Sequence, residues 1–279
     1  MPLQTGMLDQ LRAFEAFDES FYHLLFGVLL ASCRLFAIFA ILQATSTQVL
    51  QGRVRSGIVL LIAVYIAAGL PEEMLASFDG LNLFLLILKE TFLGALLGIM
   101  AATVFWVAEG VGAMIDNVAG YNNVQQQNPL SSQQSTPISS LLLQLCITIF
   151  FTLGGFLLLL DALFMTYQWW PIPSMTPVPA AMLERFIIFQ TDTLMTQIVK
   201  ISAPVLIVMV LIDLSFGLVA KTAGKLEPNS LAQPVKSAIA LLVVMLSLGV
   251  FIQQLAVSLS LSDLRAQLQG WFSLMGQLH

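Results

Sequence analysis

The chain has 279 residues, of which 58% are hydrophobic and only 10% charged, with a mean hydropathy of +0.88; ordinary soluble domains run at roughly 45–50% apolar and about 25% charged. This balance excludes a soluble domain and marks an integral membrane protein. The formal net charge of −5, with eleven scattered Lys and Arg, excludes a nucleic-acid surface, which needs clustered cations against phosphates.

No cleaved signal peptide is expected within residues 1–22, because they carry Asp9, Glu15, Asp18 and Glu19 against Arg12 alone. Leu8, Leu11, Phe14, Phe17 and Phe21 recur every three or four residues, which predicts an amphipathic helix with an acidic outer face. An anionic cytoplasmic leaflet repels such a face, so the helix is expected to pack on protein or lie on the outer side.

Six apolar segments follow, at about 24–42, 57–70, 83–115, 138–165, 198–220 and 238–261. Most reach the roughly 20 residues a helix needs to cross the hydrocarbon core; the second is short and is not expected to span conventionally. The class is therefore all-α and polytopic in appearance. Arg53 and Arg55 in one connection, and Lys221, Lys225 and Lys236 in another, put those two connections in the cytoplasm under the positive-inside rule, with both termini outside.

Between the third and fourth segments lies "GYNNVQQQNPLSSQQSTP", residues 120–137, polar and without a single charge. The positive-inside rule is silent about it. "YQWWP" at 167–171 reads either as an interfacial aromatic anchor or as an ordinary helix end. Leu261, Leu264, Leu268, Phe272 and Met275 predict a short amphipathic helix over 262–279, capped by Ser262.

Arg34, Lys89, Glu90, Glu109, Asp161, Lys200 and Asp213 fall within or at the edges of apolar segments. An ionised side chain at a bilayer centre costs about 2.5–3.5 kcal/mol on the insertion scale, so these groups must meet protein or water. Lys89 and Glu90 are adjacent and diverge by about 100° on a helix, so each is expected to find its partner elsewhere. Structural pairing is one reading of such charges and a proton relay the other. Glu109 and Asp116 share a helix face, while Asp161 and Asp213 stand alone in their segments. Gly94 and Gly98 allow close helix packing; Gly154-Gly155 and Pro204 allow breaks or kinks.

No catalytic, cofactor or metal residue emerges. His23 and His279 lack a nucleophile motif, no phosphate-binding glycine loop is present, and Cys33 and Cys146 sit in apolar runs as inert thiols. A secondary transporter of a small solute, with broken helices at Gly154-Gly155 and Pro204, would call for internal symmetry between two halves, and none is visible.

One ordered series of landmarks goes further: "LKETFLGALLG" (88–98), "GVGAMIDNVAG" (110–120), "NP" (128–129), "GG" (154–155), "YQWWP" (167–171), "APV" (203–205), "IDLSFGLVAKTAGKLEPNS" (212–230) and "QPVKSAIA" (233–240). In that order they resemble the T-type export gate protein of bacterial type III secretion, the SctT family, whose flagellar counterpart is FliR. The resemblance covers nearly the whole chain. It rests on Glu90 with Gly94, on Gly112, Asp116, Asn117 and Gly120, on Pro129, Tyr167, Pro171 and Pro204, on Asp213 with Gly217, and on Asn229, Pro234 and Lys236. A Gln-Arg often follows the Asp-Asn in the family, whereas Val118 and Ala119 stand here, so no role of that Arg carries over. "LEPNS" likewise replaces the more usual "PQLN".

The resemblance implies a single export-gate domain over 1–279, folded as bent helical hairpins in a helical pore assembly of the bacterial inner membrane and raised toward the periplasm. Implied partners are R-type and S-type gate subunits, U-type and V-type export proteins, needle or rod components, membrane lipid, and unfolded secreted proteins as cargo. A plug role falls on 110–127 within the polar region 110–137: Gly112, Asp116, Asn117, Gly120, Tyr121, Asn122, Asn123, Gln125, Gln126 and Gln127. Lys89, Glu90, Glu109, Asp161, Asp213 and Lys236 are the candidate buried charges for assembly.

Overall fold

A computed structural model of the chain describes residues 2–47, 49–70, 80–121, 126–127, 134–174, 180–222 and 228–258. The expected helix at 262–279 lies outside these. Among the described residues the chain is all-α: α1 (Pro2–Ile41), a 3-10 turn (Gln43–Thr45), α2 (Gly52–Ala68), α3 (Gly80–Ala119), α4 (Pro137–Thr152), α5 (Gly155–Trp169), α6 (Ala180–Thr222) and α7 (Pro228–Ser258). The sole departure is a two-residue antiparallel ladder, β1 (Gln126–Gln127) with β2 (Gln134–Ser135), in which Gln126 faces Ser135 and Gln127 faces Gln134.

Residues 2–22 do not form a helix of their own. They are the first half of the 40-residue α1, which runs without interruption into the first apolar segment, because "SFYHLLF" contains no Pro or Gly to stop it. The helix ends where Thr45 folds back and donates its hydroxyl to the carbonyls of Phe39 (3.0 Å) and Leu42 (3.1 Å), the second of which also accepts the Thr45 backbone N–H.

Four helical stretches are long and apolar enough to cross a membrane: Phe21–Ile41, Gly80–Ala119, Leu183–Val219 and Pro234–Gln253. The chain is a multi-pass membrane protein. The second apolar segment becomes α2, only 17 residues long, short of the roughly 20 a span requires. It buries Val59, Ile62, Ala63, Ile66 and Ala67, one helical face, against α1. There Gly27 leaves room for Ala67, whose Cβ would lie 3.1 Å from a side chain placed at that glycine.

The fourth segment is broken. α4 and α5 meet at a 70° bend, a broken span or a re-entrant loop, and both glycines at the break are needed. Gly154 has φ +76°, a left-handed conformation that L side chains resist. A Cβ at Gly155 would run into the ring of Phe150, which stacks edge-on against Phe105 at 5.3 Å. The six apolar segments thus resolve into four candidate spans, one bent pair and one short helix.

The chain divides into two compact units, residues 1–101 with 163–177 and residues 102–162 with 178–279. The core of the first is Leu30, Ala31, Leu35, Ile38 and Phe39 of α1, with Leu86, Leu93 and Leu97 of α3. In the second, Phe105, Ala108 and Val111 of α3, Leu142 and Cys146 of α4, Val205 and Met209 of α6, and Ala240 and Val244 of α7 are buried.

Candidate functional site

In the second unit the last turns of α3 meet the first turn of α4, and the polar loop leaves from one and returns to the other. Asp116 is fully buried. Its two carboxylate oxygens accept the backbone N–H of Ile138 (3.3 Å) and of Ser139 (2.9 Å). These are the first free amides of α4, since its first residue is Pro137, which has none. A negative group at that position meets unpaired donors and the positive end of the helix dipole together.

Asp116 therefore caps α4 from another helix. The residue in the ordinary capping position, Thr136, makes no side-chain capping bond, and its buried hydroxyl is unpartnered. One turn before Asp116, Gly112 makes the approach possible: a Cβ there would collide with Ser139 Cα and lie 2.6 Å from its nitrogen. Ser139 completes the joint by donating its hydroxyl to the Glu109 carbonyl at 3.0 Å. Glu109 and Asp116 do share the α4-facing side of α3, but Glu109 contributes its backbone carbonyl to this joint.

The loop starts where Gly120, at φ +77°, ends α3. The next residue is also held, because the Tyr121 hydroxyl donates to the Ser237 carbonyl of α7 at 3.0 Å, and Ser237 in turn donates to the Ala119 carbonyl at 3.4 Å. Asn117 is exposed. Asn122, Asn123 and Gln125 lie outside the described residues, while the backbones of Gln126 and Gln127 form β1. The charge-free stretch thus has both ends fixed and a short ladder within it.

The first unit holds a buried ionic cluster. Arg34 of α1, fully buried, donates through Nε to Glu90 Oε2 at 2.7 Å, through one terminal nitrogen to Thr166 Oγ1 at 3.0 Å, and through the other to the Trp170 carbonyl at 3.2 Å. Its guanidinium also lies 4.0 Å from the Tyr167 ring centre, a cation–π arrangement. The Tyr167 hydroxyl returns to α1, donating to the Ala31 carbonyl at 3.3 Å. "YQWWP" is therefore the cradle of a buried arginine, with Trp170 itself buried.

Lys89 and Glu90 do pair with each other, against the expectation from their helical spacing. Lys89 Nζ reaches Glu90 Oε1 at 2.9 Å, an ion pair without an aligned hydrogen bond. The four-carbon stem of lysine carries its ammonium back across the divergence of the two Cα–Cβ bonds. Each also finds the outside partner anticipated for it. Glu90 has Arg34, and Lys89 donates to the carbonyls of Pro171 (3.1 Å), Ile172 (2.8 Å) and Ser174 (3.1 Å). The helices cross at small residues: a Cβ on Gly94 would strike the Arg34 carbonyl, and one on Gly98 would lie 3.2 Å from Ile38 Cα.

Two other charges lie outside the Asp116 joint and the Arg34 cluster. Asp213 of α6, alone within its segment, is paired with Lys236 of α7. Asp161 is half-buried on α5. Sequence reasoning left Arg34 out of the candidate site although it is the hub of the cluster; the one signal available was a lone arginine inside an apolar run.

A family model described as "Bacterial export proteins, family 1" matches residues 25–261. The chain belongs to this family. Among similar proteins, Yop proteins translocation protein T of Yersinia pestis is 37% identical over 214 residues, covering 76% of this chain and 82% of its own length. Surface presentation of antigens protein SpaR of Salmonella typhimurium is 25% identical over 95% of this chain and 98% of its own length. Secretion system apparatus protein SsaT of the same organism is 29% identical over 58% of this chain and 62% of its own length. The match to the family spans both the Arg34–Glu90 cluster and the Asp116 joint of this export protein.

Proposed function

We propose that this export protein is a pore-forming subunit of the type III secretion export gate, through which unfolded proteins cross the bacterial inner membrane, and that 110–127 helps plug the gate when closed. Membership in an export family supports the first part, together with relatives named for translocation and for a secretion apparatus. The observation that carries the second is the Asp116 joint. It ties the helix end from which an uncharged polar loop leaves to the helix start to which it returns, through one buried carboxylate, so both ends of the loop are anchored between apolar helices.

Amide and hydroxyl groups hydrate a passing chain without holding either sign of charge, and their mutual hydrogen bonds close and reopen at low cost. Plug residues on this reading are Gly112, Asp116, Asn117, Gly120, Tyr121 and the Asn/Gln run to Gln127. The partners are R-type and S-type gate subunits around the pore, with U-type and V-type export proteins on the cytoplasmic side and needle or rod components beyond. In the assembly the chain is raised toward the periplasm.

Deleting Gly120–Gln127 tests the plug. The assembled mutant gate is expected to leak ions, read as increased membrane conductance in cells that express the complete complex. Unchanged conductance, with R-type and S-type partners still co-purifying, overturns the plug and leaves the subunit assignment standing.

A further inference from the structure

Within the second unit, α6 and α7 form with α3 and α4 a partly open cavity of about 220 Å³. Val111, Ile115, Leu142, Pro204, Val244 and Phe251 line it. It is larger than the engineered apolar cavity of about 150 Å³ that stays dry and takes up benzene. One charged side chain borders it, Lys200, which is exposed. Among the described residues Lys200 has no ion pair or hydrogen-bond partner, so an apolar chamber has an unneutralised cation on its wall.

The same residue offers an acceptor. Pro204 lies inside α6, four residues after Lys200, and proline has no N–H to give to the carbonyl one turn back. The Lys200 carbonyl therefore lacks its regular helical donor. Depth follows from the sequence. "QTDTLMTQIVK" before and including Lys200 is mixed and polar, whereas Ile201–Ala220 is twenty residues interrupted by only one charge, Asp213, about the length of a hydrocarbon crossing. α7 supplies Ser247, Leu248 and Phe251 beside this level and turns polar at Gln253-Gln254. Lys200 thus stands at the polar end of that apolar run.

We propose that this is a binding site for an anionic glycerophospholipid, with an acyl chain in the cavity, the phosphate on the Lys200 ammonium and a headgroup hydroxyl donating to the Lys200 carbonyl. A basic residue at the headgroup end of an interhelical pocket suits an anionic lipid on electrostatic grounds. A zwitterionic lipid would bring its own cation toward Lys200 and lose that advantage. The site depends on the multi-pass membrane reading and not on the plug.

Native mass spectrometry of the detergent-extracted gate complex tests it, with phosphatidylglycerol and phosphatidylethanolamine added back in equal amounts. Wild type is expected to retain phosphatidylglycerol preferentially. Lys200→Gln should lower that retention about fivefold, one near-surface cation's share, and Lys200→Arg should restore it. Leu248→Trp, which fills the cavity, should abolish retention of both lipids. Equal retention of the two lipids by wild type, or no difference between wild type and Lys200→Gln, overturns the proposal. So does a photo-crosslinker at position 200 that captures a protein and no lipid. If Leu248→Trp does not assemble, the Gln and Arg variants still decide the matter.

Discussion

Arg34 joins four parts of the first unit through one buried side chain. It ties α1 to α3 through Glu90, to α5 through Thr166 and Tyr167, and to the turn after α5 through the Trp170 carbonyl. Removing one member of a buried ion pair strands the other, at a cost of about 3–5 kcal/mol, whereas replacing both by apolar groups is often close to neutral. Arg34→Met alone is therefore expected to lower the melting temperature of the purified chain sharply. Glu90→Gln should do so less, because Lys89 keeps its three carbonyls. The double variant should melt well above the sum of the two losses, and strict additivity in thermal denaturation would show that the pair does not couple. Arg34→Lys should rescue poorly, since an ammonium cannot serve three directions from one plane. Glu90 was legible in the sequence as a charge in need of a partner. Arg34 as that partner was not, because pairing across 56 positions depends on where α1 crosses α3, at Gly94.

Capping is the decisive local event where α3, the polar loop and α4 meet. Thr136 reads as the N-cap of α4, a residue type that normally accepts a backbone N–H, yet Asp116 has taken those amides. Asp116→Ala should destabilise the fold by about 1–3 kcal/mol, the cost of leaving buried donors without acceptors. Thr136→Val should be neutral or slightly stabilising, because the hydroxyl it removes is buried and unpartnered. Urea denaturation in detergent checks both, and a larger loss for Thr136→Val than for Asp116→Ala would reverse this assignment. The start of α4 was legible from the apolar run that begins at about 138. The source of its cap was not, because a cap from another helix leaves no local signature.

On the scale of the whole molecule, the two C-terminal helices leave most of their surface open. Only 17% of the apolar stretch is buried in each of Leu183–Val219 and Pro234–Gln253, against 50% in Phe21–Ile41. Met245 is 71% exposed and Leu246 77%. Open apolar surface of this extent needs lipid or partner subunits as its solvent. Leu246→Asp therefore touches little within the chain but should reduce the membrane-inserted complex several-fold, a carboxylate in that setting costing about 2.5–3.5 kcal/mol. Native gels of membrane extracts would read this, and wild-type amounts of complex would place that face in water. The Asp213–Lys236 pair, which ties α6 to α7, accounts for a charge that seemed isolated along the chain.

Composition and periodicity by themselves determined the membrane class and the all-α architecture, Gly154-Gly155 was legible as one of two places where a helix was free to break, the other, Pro204, lying inside the unbroken α6, and the ordered motifs determined the family. Each of these is written in local residue chemistry: apolar length sets the capacity to span, and a glycine pair sets a place to bend. Tertiary structure alone decided that α1 is continuous from Pro2, that Lys89 and Glu90 share one cluster with Arg34, and that Asp116 holds α4. Those outcomes depend on which helices cross and how near their backbones come. That nearness is set by small residues such as Gly94 and Gly112, whose partners lie dozens of positions away.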